Sequence, residues 1–376
     1  MSLKIFHFLG ITMLAVLLVS CVNSNAIPAG VNPTRSEGET IPQPTPTDAV
    51  SGIVGSLTVM THDSFSVTES LVRQFEQENR VKLIFLKSGD TGSALNRAIL
   101  SKGAPLADIF YGVDNAFLSR ALESGIYESY QSPLLAHISS EYKLDPHNRA
   151  LPVDYGDVCI NYDKAYFTKN NLPVPQSLQD LTKVEYKNLL VVENPATSSP
   201  GLAFMLATIA EFQESGYQDY WRQLRENGVV VVNNWETAYY TNFSGSSGQG
   251  PQPMVVSYGS SPAAEVIFAE NPPEEAPTAL IIGKNTCFRQ IEFVGILQGT
   301  KQRALAEKFV DFLLSVKFQE DMPLQMFVFP VNEQAQLPES FQKHVQIPDQ
   351  PAVIAPERIS QNRDAWIQAW NEVVLR

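Results

Sequence analysis

The chain alternates short apolar runs with segments whose apolar residues recur every three or four positions. Leu57 to Met60 predicts a strand, and Leu71, Val72 and Phe75 give the stretch Thr68 to Asn79 one apolar helical face. Val81 to Leu86 predicts the next strand, followed by a Gly89-Asp90-Thr91-Gly92 turn and a helix from Ser93 to Leu100. Ala107 to Tyr111 is a third strand, closed by Gly112-Val113-Asp114-Asn115 before a helix through Leu122. Strand and helix in regular alternation imply a parallel sheet covered by helices on both faces. Ligands of such sheets bind beyond the carboxyl ends of the strands, among loops and helix N-termini. The turns at His62-Asp63, Gly89-Asp90 and Asp114-Asn115 all fall at that edge.

A second α/β series begins after Val153-Asp154-Tyr155-Gly156. Asn188 to Val192 predicts a strand that leads into Glu193-Asn194-Pro195-Ala196-Thr197-Ser198-Ser199-Pro200-Gly201. Pro200 suits the first turn of a helix and Ser198 or Ser199 its cap, with the helix running to about Phe212. Helices near Tyr217 to Asn227 and Glu236 to Phe243 follow, with strands at Val229 to Val232 and Met254 to Ser257. The chain returns through Ile291 to Ile296. Leu305, Phe309, Phe312 and Leu313 then give a helix a buried face, and Ala365 to Val374 closes the pattern. Roughly 320 residues lie beyond the N-terminal segment, more than a single core usually organises, so two lobes are expected.

That N-terminal segment has its own pattern. An apolar run from Ile5 to Val19 follows Lys4, and a bilayer span needs about 20 such residues. A basic start, a short apolar core and a small residue before the cut describe a secretory signal. Leu18-Val19-Ser20-Cys21 resembles the box of bacterial lipoprotein signals, which implies lipidation at Cys21 and a mature chain beginning there. An ordinary secretion signal cut further on is the alternative. From Val22 to Gly52 the chain carries Pro28, Pro33, Pro42, Pro44 and Pro46 among Thr, Ser, Gly and Asn, a composition that reads as a solvated tether. The expected location is outside the cytoplasm, anchored by lipid at Cys21 to the outer face of the cell membrane, or periplasmic.

Net charge is −13, which argues against nucleic acid, whose phosphates need Lys and Arg, and mildly favours a cationic ligand by steering. Cys159 and Cys287 have no nearby Cys or His at metal-ligand spacing. In an exported chain they form either one disulfide or two buried thiols. Catalytic constellations are missing from the pattern. His62, His137, His147 and His344 are scattered, Gly245-Ser246-Ser247-Gly248 does not fit a nucleophile elbow, and Gly248-Gln249-Gly250 lacks the third glycine of a dinucleotide fingerprint. No catalytic residue, metal site or cofactor is assigned, and the chain reads as a binding protein rather than an enzyme.

Binding features gather instead at the strand ends. Ser198 and Ser199 open a helix, where free backbone N–H groups favour an anionic group. Trp235 follows Asn233-Asn234 at a strand-to-helix turn, where a large aromatic can stack on a flat ring. Tyr258-Gly259-Ser260-Ser261-Pro262 ends another strand with an aromatic and two hydroxyls, and Asp90 offers a carboxylate to a cation or amino group.

Together these segments resemble the thiamine-binding proteins of ABC importers, a branch of the extracellular solute-binding superfamily. The resemblance runs collinearly from Leu57 to Arg376. Its marks are Thr61-His62-Asp63-Ser64-Phe65, Ser93-Ala94-Leu95-Asn96-Arg97, Gly112-Val113-Asp114-Asn115, Val153-Asp154-Tyr155-Gly156 and Thr197-Ser198-Ser199-Pro200-Gly201-Leu202. Trp235-Glu236-Thr237-Ala238-Tyr239, Ser257-Tyr258-Gly259-Ser260-Ser261-Pro262-Ala263 and Arg363-Asp364-Ala365-Trp366-Ile367 complete the ordered set. It implies an α/β, two-lobed periplasmic-binding-protein-like fold of type II, each lobe a mainly parallel sheet flanked by helices, with hinge crossings near Tyr155 and Glu292. The division is 1–20 signal, 21–54 tether, 55–155 first lobe, 156–288 second lobe and 289–376 return to the first lobe with C-terminal helices.

The same resemblance implies ligand contacts at Asp90 and Thr91 from the first lobe and at Ser198, Ser199, Trp235, Tyr258, Gly259, Ser260, Ser261 and Pro262 from the second. His62, Asp63, Asp114 and Phe327 are weaker candidates. The ligand would be thiamine, thiamine monophosphate or thiamine diphosphate, the partners an ABC permease and ATPase, and the chain a monomer. An aminopyrimidine stacks on Trp or Tyr, and a cationic thiazolium suits aromatic faces. The chain departs from the family at His62 and Phe327, where aromatics of other types are expected, and at Ala264, where a Tyr is, so the cleft reads as less aromatic than usual. Ferric iron is the nearest rival ligand, through Tyr239-Tyr240, with a polyamine another and a Ser260 or Ser261 hydrolase using His62 a remote third. In the resembled fold the crossings that carry Cys159 and Cys287 run side by side, so the two can pair. Two unpaired thiols are the expectation.

Overall fold

Alternation of strand and helix builds the first part of the computed structural model, which describes residues 53–245 and 250–376. β1 (Gly55–Thr61), α1 (Glu69–Asn79), β2 (Val81–Lys87), α2 (Thr91–Leu100), β3 (Ile109–Asp114) and α3 (Leu118–Ser124) follow in order. β1 pairs in parallel with β2 and β3, as the alternation predicts. α2 starts two residues before the expected Ser93, and β3 extends through Gly112 and Val113, where the sequence pattern predicts a turn. The signal, Cys21 and the tether up to residue 52 lie outside the described residues, as does the Ser246–Gln249 stretch. Among the described residues no helix is long and apolar enough to cross a membrane.

After β4 (Tyr127–Glu128) comes β5 (Leu151–Asp163), a 13-residue strand buried along most of its length. The second α/β series then gives α4 (Lys164–Lys169), β6 (Leu190–Glu193), α5 (Ser199–Glu226), β7 (Val230–Val232), β8 (Met254–Tyr258), α6 (Ser261–Ile267) and β9 (Thr278–Ile281). β6 pairs in parallel with β7 and β8. α5 breaks at Gln213, whose φ is 60°, close to where two separate helices are expected. The predicted helix over Glu236 to Phe243 is a π-helical turn at Thr237–Asn242.

β10 (Phe288–Leu297) returns, followed by α7 (Arg303–Leu314), α8 (Val316–Gln325), β11 (Phe329–Pro330), α9 (Glu339–His344) and α10 (Pro356–Val374). The strand order is β2-β1-β3-β10-β5-β8-β6-β7. Two parallel sets are thus joined through β10 and β5, which run antiparallel to each other and to their neighbours β3 and β8. Alternation of strand and helix does not encode that reversal.

The core follows the sheet. Leu57, Val59, Leu83 and Ile109 pack on Phe309, Val310 and Leu313 of α7. On the other side Phe110 and Val113 join a larger cluster with Leu202, Met205 and Leu206 of α5 and Trp366 and Trp370 of α10. Trp370 is fully buried and meets Trp221 edge-on at 5.3 Å, tying α10 to α5.

Cys159 and Cys287 are bonded to each other, with Cα atoms 4.2 Å apart. This corrects the expectation of two free thiols. Val158 lies opposite Phe288 in the β5–β10 ladder, so the residues just beyond that pair face each other. The bond closes a loop spanning 128 residues. In a chain with Cys21 replaced by Ser, thiol titration after unfolding without reductant should find no free thiol. Replacing Cys159 and Cys287 by Ser should lower stability by about 2–4 kcal/mol, read from denaturant melts.

Candidate functional site

The carboxyl ends of β1, β2, β3, β6, β7 and β8 open toward one cleft of about 230 Å³. Each end delivers side chains by local rules. β1 ends at Thr61, so His62 emerges into the cleft beside Gly112. Gly112 has φ of 103°, and a Cβ there would lie 2.5 Å from His62 Cδ2, so only glycine lets the imidazole approach. Asp90 is the N-cap of α2, and Thr91 opens that helix with its hydroxyl donating to Gly112 O at 2.8 Å. Ser199 and Pro200 start α5, and Ser260 and Ser261 start α6.

Of the residues singled out from the sequence, Asp90, Thr91, Ser199, Trp235, Tyr258, Ser260, Ser261, His62 and Phe327 line the cleft. Five others do not. Ser198 is fully buried as the N-cap of α5. Gly259 holds the turn through a backbone N–H bond to Asp157 O at 2.7 Å, and Pro262 fills the first turn of α6. Asp63 accepts from Gly89 N at 2.8 Å. Asp114 accepts from Ala116 N and Phe117 N and from the Ser199 hydroxyl, so it is committed to the frame.

Trp235 divides its surface. Its indole stacks on Tyr239 at 5.0 Å and 19°, and its Nε1–H donates to Ser257 Oγ at 2.9 Å. It also packs on the small cluster of Val191, Ala238, Phe243 and Val255, so it serves the core as well as the cleft. Its backbone N–H donates to Asp90 Oδ2 at 3.2 Å, linking the first strand set to the second across the cleft.

Tyr239, Tyr240, Phe268, Met326 and Glu292 also line the cleft and were not selected as contacts. The π-helical turn brings in the two tyrosines, a device frequent at functional sites. Phe268 meets Phe327 edge-on at 4.9 Å. Glu292 had a legible signal: it interrupts the apolar run Ile291 to Ile296, and a charge inside a buried strand demands a partner.

The electrostatics are acidic. Asp90, Glu236 and Glu292 line the cleft, and among the described lining residues His62 is the one basic side chain. Burial lifts the Asp90 pKa against the opposing pull of Ser198 and the Trp235 N–H. Beneath the surface, burial pushes Asp114 up to about 6 and raises Glu193 well above the carboxylate range, with Asp90 adding to the latter. Both carboxylate oxygens of Glu193 are buried without a hydrogen-bond partner. His62 is pulled down by burial, but Glu292, with Asp90 and Asp63, outweighs this and raises it overall.

A cleft at strand ends, walled by aromatic rings and carboxylates between two strand sets joined by paired crossings, defines a solute-binding protein. The chain belongs to the family described as bacterial extracellular solute-binding protein, whose profile matches residues 104–356. It is 29% identical to the thiamine-binding periplasmic protein of Salmonella typhimurium over 325 residues, or 85% of this chain and 94% of that protein. A solved periplasmic thiamin binding protein matches with a TM-score of 0.73 and 26% identity, over 85% of this chain and 96% of its own. The ferric binding protein from Campylobacter jejuni matches with a TM-score of 0.67 and 17% identity, over 84% and 99%, a likeness of fold. The fold is the two-lobed α/β type II fold of periplasmic binding proteins.

The raised carboxyls fix the sign of the pH dependence. A carboxyl whose pKa is higher folded than unfolded takes up a proton in the native state first, so stability rises as pH falls through the folded value. Asp114 at about 6 and Glu265 at about 7, the latter raised chiefly by burial, act this way, and Asp90, Asp154 and Glu193 shift in the same direction. His62 agrees, since its contribution is complete below its unfolded value and is lost as pH rises through the raised one. The ligand-free chain should therefore be more stable at about pH 5.5 than at about pH 7.5, on the order of 1–3 kcal/mol. Thermal melts across that window check it, and a fall in Tm on acidification would contradict it.

Proposed function

We propose that this chain is the ligand-capturing lipoprotein of an ABC importer and that its ligand is thiamine, as the free cation or its mono- or diphosphate. The observation that carries the reading is the pairing of aromatic rings with carboxylates in a cleft whose described lining includes no Lys or Arg. Trp235 and Tyr258 offer faces for an aminopyrimidine, Asp90 an acceptor for its amino group, and the remaining rings and Glu292 a setting for a thiazolium cation. The start of α5 at Ser199 borders the same cleft and would receive a phosphate ester through its backbone N–H groups.

In this reading the lobes, divided at 155/156 and 288/289, close on the ligand about β5 and β10. Lipid at Cys21 keeps the monomer beside its permease and ATPase. Ferric iron fits less well. The Tyr239 hydroxyl donates to Glu265, and burial, reinforced by that carboxylate, holds its pKa well above the usual range and opposes a phenolate ligand. Among the described residues no three His, Cys, Asp or Glu side chains gather to hold a metal. A hydrolase reading fares no better, since Ser261 Oγ pairs with Ser257 Oγ at 2.9 Å and His62 is directed to Glu292.

Calorimetry of the purified chain against thiamine, its monophosphate and its diphosphate tests the proposal, and tight binding of at least one is expected. Binding of a polyamine or iron to a chain that ignores all three would replace it. Ligand should also quench Trp235 fluorescence. Trp235→Ala should weaken binding by about 1–3 kcal/mol, by analogy with aromatic–base stacking. Because Trp235 also packs on Val191 and Val255, the same substitution should lower Tm measurably, and unchanged affinity would confine the indole to a packing role.

A further inference from the structure

In the β10–β5 ladder Glu292 stands directly opposite Asp154. Two carboxylates side by side in a buried ladder repel each other, and Asp154 is fully buried with Oδ1 lacking a hydrogen-bond partner. The Tyr111 hydroxyl of β3 lies 2.6 Å from Asp154 Oδ2 and 3.0 Å from Glu292 Oε2, yet it has a single proton to donate. Gln290 Nε2 lies 3.3 Å from Glu292 Oε1 and equally far from the Tyr258 hydroxyl. His62 Nε2 stands 3.5 Å from Glu292 Oε2 and has no hydrogen-bond partner. Glu292 lines the cleft, whereas Asp154 lies behind it.

We propose that Glu292 is the counter-charge for the cationic centre of the ligand, and that an entering cation displaces a proton held by the cluster of Glu292, Asp154, Tyr111 and His62. The inference rests on the reading that the ligand is a cation. The donor supply of the empty cluster explains it. Two buried carboxyls that share one tyrosine hydroxyl, with the Gln290 amide as the further donor, are more stable together when a proton is retained on the pair or on the imidazole beside it. A fixed positive charge in the cleft removes the need for that proton, which passes to the solvent.

The titratable groups around Glu292 come from several elements. His62 and Asp63 follow β1, Asp90 caps α2, Tyr111 and Asp114 belong to β3, Asp154 to β5 and Tyr258 to β8. From the α8–β11 segment Met326 offers only its sulfur, 3.9 Å from the Tyr111 hydroxyl. The nearby Arg289 is committed to Asp157 at 2.9 Å. Burial and the neighbouring Glu292 raise the Asp154 pKa well above the carboxylate range, which agrees with a retained proton.

The test is calorimetry of thiamine binding to the full chain in two buffers of different ionisation enthalpy, at about pH 6 and about pH 8. The wild type should release about half a proton or more per ligand at the lower pH and less at the higher. Glu292→Gln should weaken binding by about tenfold or more and abolish most of the release. Asp154→Asn, which keeps the counter-charge, should lose release while retaining affinity within about threefold, and it serves if the Gln variant fails to fold. Equal heats in the two buffers, or release that survives both variants and disappears only in His62→Gln, would overturn the assignment. Should the wild type ignore thiamine, the ligand reading falls separately and spermidine becomes the cation probe. Failure of both cations to bind would overturn the Glu292 assignment too.

Discussion

The antiparallel pairing of β5 with β10 is the constraint from which the rest of the cleft follows. Leu151 to Val158 lies against Phe288 to Val294, and both strands are almost wholly buried. Buried backbone must satisfy its polar groups internally, and the ladder does so on both sides of a register shift between Glu292 and Phe293. The register then decides what the cleft contains, because a shift of one residue sends each side chain to the opposite face. In the observed register Asp154 meets Glu292, Asp157 lies opposite Arg289, and Cys159 reaches Cys287. One pairing thus sets a carboxyl pair, an ion pair and a covalent bond along the same seam.

Acidity at this seam and in the adjoining cleft conflicts with stability. Asp114, Asp154 and Glu193 are buried almost completely, and no lysine or arginine appears among the described lining residues to compensate. A buried carboxylate loses hydration worth several kcal/mol, and the available escape is protonation. Burial raises the pKa of all three carboxyls, at positions where a protein selected for stability alone would place apolar side chains. In the proposed reading, a positively charged ligand entering the cleft offsets part of this cost. The exposed acidity that contributes to the net charge of −13 acts at longer range and mildly favours cations over anions by steering.

Much of this was legible in the residues. The parallel sets β1 to β3 and β6 to β8 follow from alternation, since each strand and helix announces itself locally. Asp90, Ser199, Trp235, Tyr258, Ser260 and Ser261 line the cleft because strand-to-helix turns at one sheet edge converge, and Thr91, expected from the family resemblance, lies beside Asp90. Ser198, Gly259, Pro262, Asp63 and Asp114 sit in the same turns but build them, and spacing cannot separate a residue that shapes a turn from one that projects beyond it. The antiparallel crossings were less accessible, because a strand buried on both faces reads as an apolar run without direction. Tyr239, Phe268 and Met326 reach the cleft through contacts between distant segments. The cysteine bond, across 128 residues, depends on the register of a non-local ladder in the same way.

Further aromatic side chains reach the cleft by the same non-local route, and they bear on the proposed capture of a cation. Besides His62 and Phe327, the side chains of Tyr239, Tyr240 and Phe268 line the same space. Phe327 adopts φ of 56°, a backbone conformation that a bulky side chain rarely takes, and is held there with Phe268, Phe329 and Phe341 around it. Aromatic faces attract a cation through their quadrupole without presenting a formal charge that must be desolvated. They complement carboxylates that are costly to keep ionised while the cleft is empty. In the proposed reading, rings hold a positive ligand in place first, and its field then favours the ionised form of Asp90, whose pKa burial raises. For the proposed cationic ligand the two groups of residues complement each other, since rings without carboxylates would bind neutral and charged heterocycles with little preference.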